Sequence, residues 1–580
     1  MATPIDEESR PLLAQTQLVP TYHGLNSTSS TSPSGVSTPV EQPGHQPLNK
    51  PTTRELVWIL VALWSAVFLG ALDTTIVATL LTSIGSYFNR AHQSSYLGSA
   101  YLLSVCCFTP LYGRLSDIMG RKHAMLLAMT LFTVGTLLCG LATSMNGLIA
   151  ARAIAGMGGG GVMTVSSITA TDLIPLKRRG IYQGLANILF GLGAGLGGPL
   201  GGFINDHIGW RWAFLIQVPF LVASMILISI FVNVHLPTQS QTTREKLVRI
   251  DYLGSTTLVI GVGSLLLAIT LKTAEGFSWD NPWVWGLFTV GTVFSTGFVY
   301  VEGWVAKEPI MPLRLLKQRT AFAVAVTNLL ISIIAFSMLY NVPIYFTAVQ
   351  LMSAENAGLH LLPNAVALAS GSVGAGLWMR WTGKFLGFTI FSATLCVLSS
   401  VLIASWSASS HPLHFWIDIV FSGFGGSSFI TTTLIGLIAS VGREDIAVAT
   451  GLSYLFRTTG QVVGVAGSGA ILQTLLARNL EERITGPGAD EIIRTIRQVW
   501  IEHSTTIIPE LEPSIRQAAV ESYALALQAV FYAQAGIAAL ALLVSLAIEE
   551  HPLPGSHEEH EEHERQRRAK RSQQEPSTSD

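Results

Sequence analysis

Four charged or strongly polar residues interrupt otherwise apolar sequence: Asp73 in LDTTIVATLL, Arg152 in ARAIAGMGGGG, and Arg457 with Gln461 in YLFRTTGQVVGVAGSGA. An ionised side chain in hydrocarbon costs several kcal/mol unless it pairs, changes protonation or faces water. Asp73 is therefore either a site that loads and releases a proton, with Arg152 as its candidate partner, or one half of a permanently satisfied salt bridge. Arg457 and Gln461 are four apart, share a helix face and can line a polar passage. Asn328, Tyr340 and Asn341 are suited either to substrate contact or to hydrogen bonding between helices. The densest charge lies in YGRLSDIMGRKHAM, Tyr112 to Met125.

These residues need a scaffold, and composition says which. Of 580 residues, 49% are hydrophobic and 12% charged, a balance that points to a chain dissolved in lipid. The net charge of -2 leaves no basic surplus to track a phosphate backbone, so nucleic acid is not an expected partner. Cys106, Cys107, Cys139 and Cys396 sit in apolar runs without metal-ligand or disulfide spacing, and each reads as a small hydrophobe. The His-rich HEEHEEHERQRRAKR at 557–571 reads as a solvated, charge-balanced tail, and no metal is expected. No G-x-x-x-x-G-K-[ST] loop is present, so ATP coupling within the chain is not expected.

A bilayer core of about 30 Å needs about 20 apolar residues per helix. Runs of that length fall near 56–80, 96–112, 123–144, 147–170, 181–204, 213–235, 251–272, 283–304, 320–342, 355–378, 385–407, 414–440, 446–475 and 522–547. An even number of spans puts both tails on one side. Basic residues gather in alternate short loops, at Arg121 and Lys122, 177–179, 244–249, 314–319, Arg380 with Lys384, and Arg443, which makes that side the cytosol. Residues 1–53 and 549–580 are too polar to fold alone and read as disordered cytosolic tails. EESRPLL in the first tail carries an acidic dileucine pattern, Glu8 with Leu12 and Leu13, like a sorting signal read by an adaptor. Asn26 is a glycosylation sequon on the side where glycosylation is not expected.

In this topology the 112–125 cluster lies in a cytosolic turn. Gly113 is expected to turn the chain at a helix end, Asp117 to cap the next helix, and Gly120 to clear room for Arg121 to reach a carboxylate, with Lys122 beside it. Such a latch can favour one packing of two helix bundles. The run at Gly156, Gly158, Gly159, Gly160 and Gly161 is read as close helix packing. Gly198, Pro199, Gly201 and Gly202 are read as a tight interface with a bend, suited either to a gate or to ordinary packing.

GRLSDIMGRKHAM resembles the G-x-L-x-D-x-x-G-R-K signature of the major facilitator superfamily, with Gly113, Leu115, Asp117, Gly120, Arg121 and Lys122 in place. LDTTIVATLL, GWRWAFLIQVP at 209–219 and DYLGS at 251–255 resemble motifs of its fourteen-span drug:proton antiporters. ARAIAGMGGGG with GGPLGGFIND at 197–206 is most similar to the fungal vacuolar basic amino acid transporter branch. The sequence departs from the family at Ala155, where many relatives carry Gln, and in the shortened spacing after Pro199. The resemblance implies an all-α polytopic membrane protein of the major facilitator fold, two six-helix bundles rocking about a midplane cavity. The bundles would be 54–235 and 320–548, with two additional central spans in 236–319 and a long lumenal or extracellular loop at 477–521. RWTGKF at 380–385 resembles the first-half latch without its Asp. The implied activity is proton-coupled antiport of a small solute with no cofactor. The branch points to basic amino acids moved into the vacuole. The alternatives are plasma-membrane efflux of drugs or metabolites, and a non-transporting nutrient receptor.

Overall fold

The computed structural model describes residues 52–90, 93, 95–174, 176–232, 245, 249–274, 277, 280–352, 354–407, 410–442, 445–484, 513–551 and 553. These residues form helices and no strand. The first set is α1 (Thr53–Tyr87), α2 (Ser95–Met119), α3 (Arg121–Leu141), α4 (Met145–Leu173), α5 (Leu176–Ile208), α6 (Trp210–Leu215) and α7 (Gln217–Phe231). Two central helices follow, α8 (Tyr252–Ala274) and α9 (Pro282–Tyr300), and α9 ends in a π-helical turn at Val301–Val305. A short α10 (Leu313–Leu316) leads into α11 (Arg319–Ile344), which also closes on a π-helical turn, Tyr345–Val349. The chain continues through α12 (Ala354–Leu359), α13 (Leu362–Thr382), α14 (Leu386–Ala404), α15 (Pro412–Ser440), α16 (Ile446–Arg483) and α17 (Pro513–Ser545).

Local chemistry starts several of these helices where they begin. Thr52 and Glu55 exchange side-chain bonds to each other's backbone N–H, a capping box for α1. The Ser144 hydroxyl accepts from the Gly147 N–H at the start of α4, and Asn281 followed by Pro282 opens α9. Among the described residues, thirteen segments are long and apolar enough to cross a membrane, with α6 and α7 joined into one of them. The fourteenth long helix is α2, whose Ser, Tyr and Thr residues and Pro110 dilute its apolar content while it packs along α4 and α16.

The helices outrun the apolar segments that announce them. The expected loop at 477–521 is helical at both ends, because α16 continues to Arg483 and α17 begins at Pro513. Hydropathy misses these ends because only one stripe is apolar. Leu472, Leu476 and Leu480 are buried in one cluster with Ala519, Tyr523 and Leu527. At about 1.5 Å per residue, the 38 residues of α16 reach about 57 Å, far beyond a bilayer core of about 30 Å. Glu8, Leu12, Leu13, Asn26 and 557–571 lie outside the described residues.

Packing groups α1 to α7 together and α11 to α17 together, and the two groups meet along α2 with α16 and α5 with α13. Both seams run on small residues. A Cβ on Gly113 would lie 3.0 Å from the Ala447 carbonyl oxygen, and one on Gly180 would lie 2.9 Å from the Gly376 Cα. Gly113 is thus inside α2, where it lets α16 approach, and is not the turn residue expected from its neighbours. Within the first group, Gly193, Gly197 and Gly201 recur every fourth residue and face the α1 backbone at Phe68, Leu72 and Ile76. Of the four expected gate residues, Gly201 belongs to this line. Gly198 would meet only Thr79 at 3.8 Å, Gly202 faces open space, and α5 continues through Pro199 to Ile208. The central helix α8 packs on both α2 and α16, so the extra pair covers one seam.

Gly120 adopts φ 90° and ψ 153° as the N-cap of α3, and a Cβ there would meet nothing within 4 Å. Its requirement is conformational rather than one of space for Arg121. Gly120→Ala should lower stability by about 1–3 kcal/mol, read as a lower thermal midpoint of the purified protein in detergent. Gly198→Ala, which adds only an ordinary contact, should leave that midpoint nearly unchanged.

Candidate functional site

The two charges that stood out in the sequence meet. Arg152 Nη1 on α4 lies 2.6 Å from Asp73 Oδ2 on α1, and their side chains are 1% and 0% exposed. Arg152 Nε donates to the Leu97 carbonyl at 3.3 Å, and its guanidinium carbon lies 4.4 Å above the Tyr101 ring centre. The second carboxylate oxygen, Asp73 Oδ1, is buried without a partner. Apolar Ile76, Leu80, Leu97, Cys139 and Leu148 occupy the same part of the core. In such surroundings an ion pair is held by the cost of leaving either charge alone. The glycine run of α4 makes the approach fit, because a Cβ on Gly159 would lie 2.5 Å from the Tyr101 hydroxyl.

Tyr101 and Thr74 also line a cavity between the two groups of helices, with about 1090 Å³ of empty space including its opening. A second cavity of about 730 Å³ shares Asn187, Phe190, Phe336, Arg457 and Gln461 with it. The ion pair therefore lies one side chain behind the cavity wall. Arg457 and Gln461 project from α16 into both spaces, one turn apart. Asn328 and Asn341 are elsewhere: Asn328 donates to Ser453 at 3.0 Å, and Asn341 donates to the Ser337 carbonyl at 2.7 Å and to Ser468 at 2.9 Å. Of the two uses open to them, both asparagines make bonds between helices. Tyr340 is 44% exposed, one helical turn beyond Phe336, and lines neither cavity.

The charged turn is a three-helix junction. Arg121, 5% exposed, bonds Asp117 Oδ1 at 2.6 Å and Asp172 Oδ2 on α4 at 2.7 Å. Its Nη1 also donates to Ser116 at 2.8 Å. Asp117 does not cap α3: its Oδ1 accepts from Arg121 and its Oδ2 is buried without a partner. The guanidinium takes that carboxylate instead, in a short bond between two opposite charges. Arg114 extends the network to Glu308 at 2.6 Å, and Glu308 also holds Arg249 at 2.8 Å. Lys122 is half-buried beside them. In the second half no local Asp is needed, because Glu550 from beyond α17 accepts the Phe385 and Leu386 N–H groups and caps α14.

Several of these partners were not legible. Asp172 and Glu550 sit at helix ends, where acids are common. Arg179 reads as one more basic loop residue, yet it is buried, donates to the Thr171 and Ile174 carbonyls at the end of α4, and lines the cavity. Asp418, accepting from Trp406 Nε1 at 2.9 Å in the second group, was an intramembrane acid that the same charge argument could have found.

The Major Facilitator Superfamily profile matches residues 63–465. Over 499 residues the chain is 38% identical to the multidrug resistance protein fnx1 of Schizosaccharomyces pombe, covering 85% of this chain and 92% of that one. It is 34% identical to the vacuolar membrane amino acid uptake transporter fnx2 of the same organism, covering 82% and 81%. It is 32% identical to the vacuolar basic amino acid transporter 1 of Saccharomyces cerevisiae, covering 70% and 76%. Among solved structures, the human organic anion transporter MFSD10 aligns with a TM-score of 0.57 at 15% identity, over 86% of this chain and all 100% of that one.

The burial of the Asp73–Arg152 pair has a measurable consequence. Asp73→Leu alone should cost about 3–5 kcal/mol, because it strands Arg152. Joining it to Arg152→Leu should restore most of the loss in the thermal unfolding of the purified chain. A double variant as unstable as the single one would count against the pairing.

Proposed function

This chain belongs to the Major Facilitator Superfamily, and from that membership we propose that it is a proton-coupled antiporter carrying basic amino acids into the vacuole. It is a multi-pass membrane transporter and not an enzyme. The observation that carries the coupling is the Asp73–Arg152 pair, one aromatic ring behind a cavity that lies between the two groups of helices. A proton taken up by Asp73 dissolves the salt bridge and leaves Arg152 to the Tyr101 ring and the Leu97 carbonyl. That uncompensated charge favours any repacking that hydrates or re-pairs it, and so ties proton traffic to the choice of conformer. The junction around Asp117, Arg121 and Lys122 biases the same choice by holding α2, α3 and α4 in one arrangement.

The cargo rests on the relatives named for vacuolar amino acid transport. The alternating basic loops support cytosolic tails, and Glu8, Leu12 and Leu13 support delivery by an adaptor. The second reading, efflux of drugs or metabolites across the plasma membrane, is favoured by the aromatic wall of Trp64, Tyr182, Phe190 and Phe336 and by the relative named for multidrug resistance.

Uptake of labelled lysine, histidine and arginine into isolated vacuolar vesicles, with and without an uncoupler, separates the readings. Uncoupler-sensitive uptake is expected, and Asp73→Asn should abolish it when vesicles holding equal amounts of the two proteins are compared. Undiminished uptake by that variant removes Asp73 from the mechanism. Absence of uptake together with drug sensitivity of cells lacking the protein favours efflux.

A further inference from the structure

We propose that the cavity recognises its solute by a carboxylate group, held by Arg457. The inference rests on the transporter reading above and narrows the class of solute.

The charged residues lining the two cavities are Arg179 and Arg457, and neither wall carries an Asp or Glu among the described residues. The other arginines near this interior are satisfied by acids: Arg152 by Asp73, Arg121 by Asp117 and Asp172, and Arg114 by Glu308. Arg457 is not. Among the described residues it makes no ion pair or hydrogen bond, and its one charge contact is the face of Tyr454 at 5.6 Å. A guanidinium stays protonated at any working pH, so a site at this depth must answer the charge with water or with an anion that arrives. Arg179 adds to the demand: it is 6% exposed, and its Nε and Nη1 are buried without partners although Nη2 is bonded.

The groups around Arg457 suit a small solute bearing a carboxylate. Gln461 lies one turn along the same face, and Asn187 reaches across from α5, fixed by its bond to Ser372 at 2.7 Å. A carboxylate fits the planar fork of a guanidinium through two parallel bonds. The aromatic wall is left for the rest of the solute, and there an ammonium group can be accepted through the ring faces of Trp64 and Tyr182. A cation without a carboxylate meets two like charges and no counter-charge.

The test uses solutes that differ by one carboxylate: lysine against cadaverine, arginine against agmatine, histidine against histamine, and, outside amino acids, benzoate against benzyl alcohol. Each is offered to the purified full chain in detergent during thermal unfolding, and as a competitor of labelled lysine uptake in vesicles. The carboxylate members should stabilise the protein and compete, and their partners should do neither. Arg457→Gln should weaken the response roughly ten- to a hundredfold, and Arg457→Lys should fall between, because it keeps the charge and loses the fork. Stabilisation by benzoate with no amino acid uptake would sink the proposed cargo and keep this site. Equal responses within the pairs, no response to any carboxylate, or an Arg457→Gln protein that responds like the parent would overturn it.

Discussion

A charge inside a membrane has to be answered, and the structure is organised by how each one is. Asp73 and Arg152 answer each other at 2.6 Å across α1 and α4. That contact dictates much of what surrounds it. Tyr101 must lie against the guanidinium, α4 must be bare enough at Gly159 and Gly160 to admit α2, and α5 must be bare enough at Gly193, Gly197 and Gly201 to let α1 stand where it does. The glycines of this chain are less a sign of flexibility than of helices brought within backbone distance so that a few polar side chains can reach.

The same rule explains what could be read from the sequence. Asp73, Arg152 and Arg457 were visible because a charge in an apolar run has few explanations, Gln461 because it stands one turn from Arg457, and all four lie at or directly behind the cavity wall. Neutral polar residues carry less information. Asn328 and Asn341 have the same sequence surroundings as a cavity residue, and their bonds to Ser453 and Ser468 depend on helix rotation, which an isolated segment does not declare. The charged turn was legible as a cluster but not in its wiring, since the acid that completes Arg121 is 51 residues away at the end of another helix. Helix ends were the least legible part. Hydropathy follows the bilayer, whereas α16 and α17 continue beyond it on an amphipathic stripe.

The two halves solve one problem with different parts. Where the first turn uses Gly120 in a conformation open to glycine and an arginine between two acids, the second uses Gly383 at φ 67° and a glutamate from the far end of the chain. The shared requirement is a fixed start for the helix after the turn. Residue identity is free to differ as long as the N–H groups and charges there are satisfied.

The central pair of helices is held to its neighbours by charge. On one side it is riveted: Arg114 of α2, Glu308 after α9 and Arg249 before α8 form a chain of charge-assisted bonds. Against the second group α8 meets apolar side chains, Val262 and Leu266 beside Leu455 and Val462, and Arg314 of α10 pairs with Asp445 ahead of α16 at 2.6 Å. The insert is therefore tied by charge to both groups, to α2 through Glu308 and Arg114 and to the start of α16 through Arg314, so it spans that seam as a strap fastened at each end.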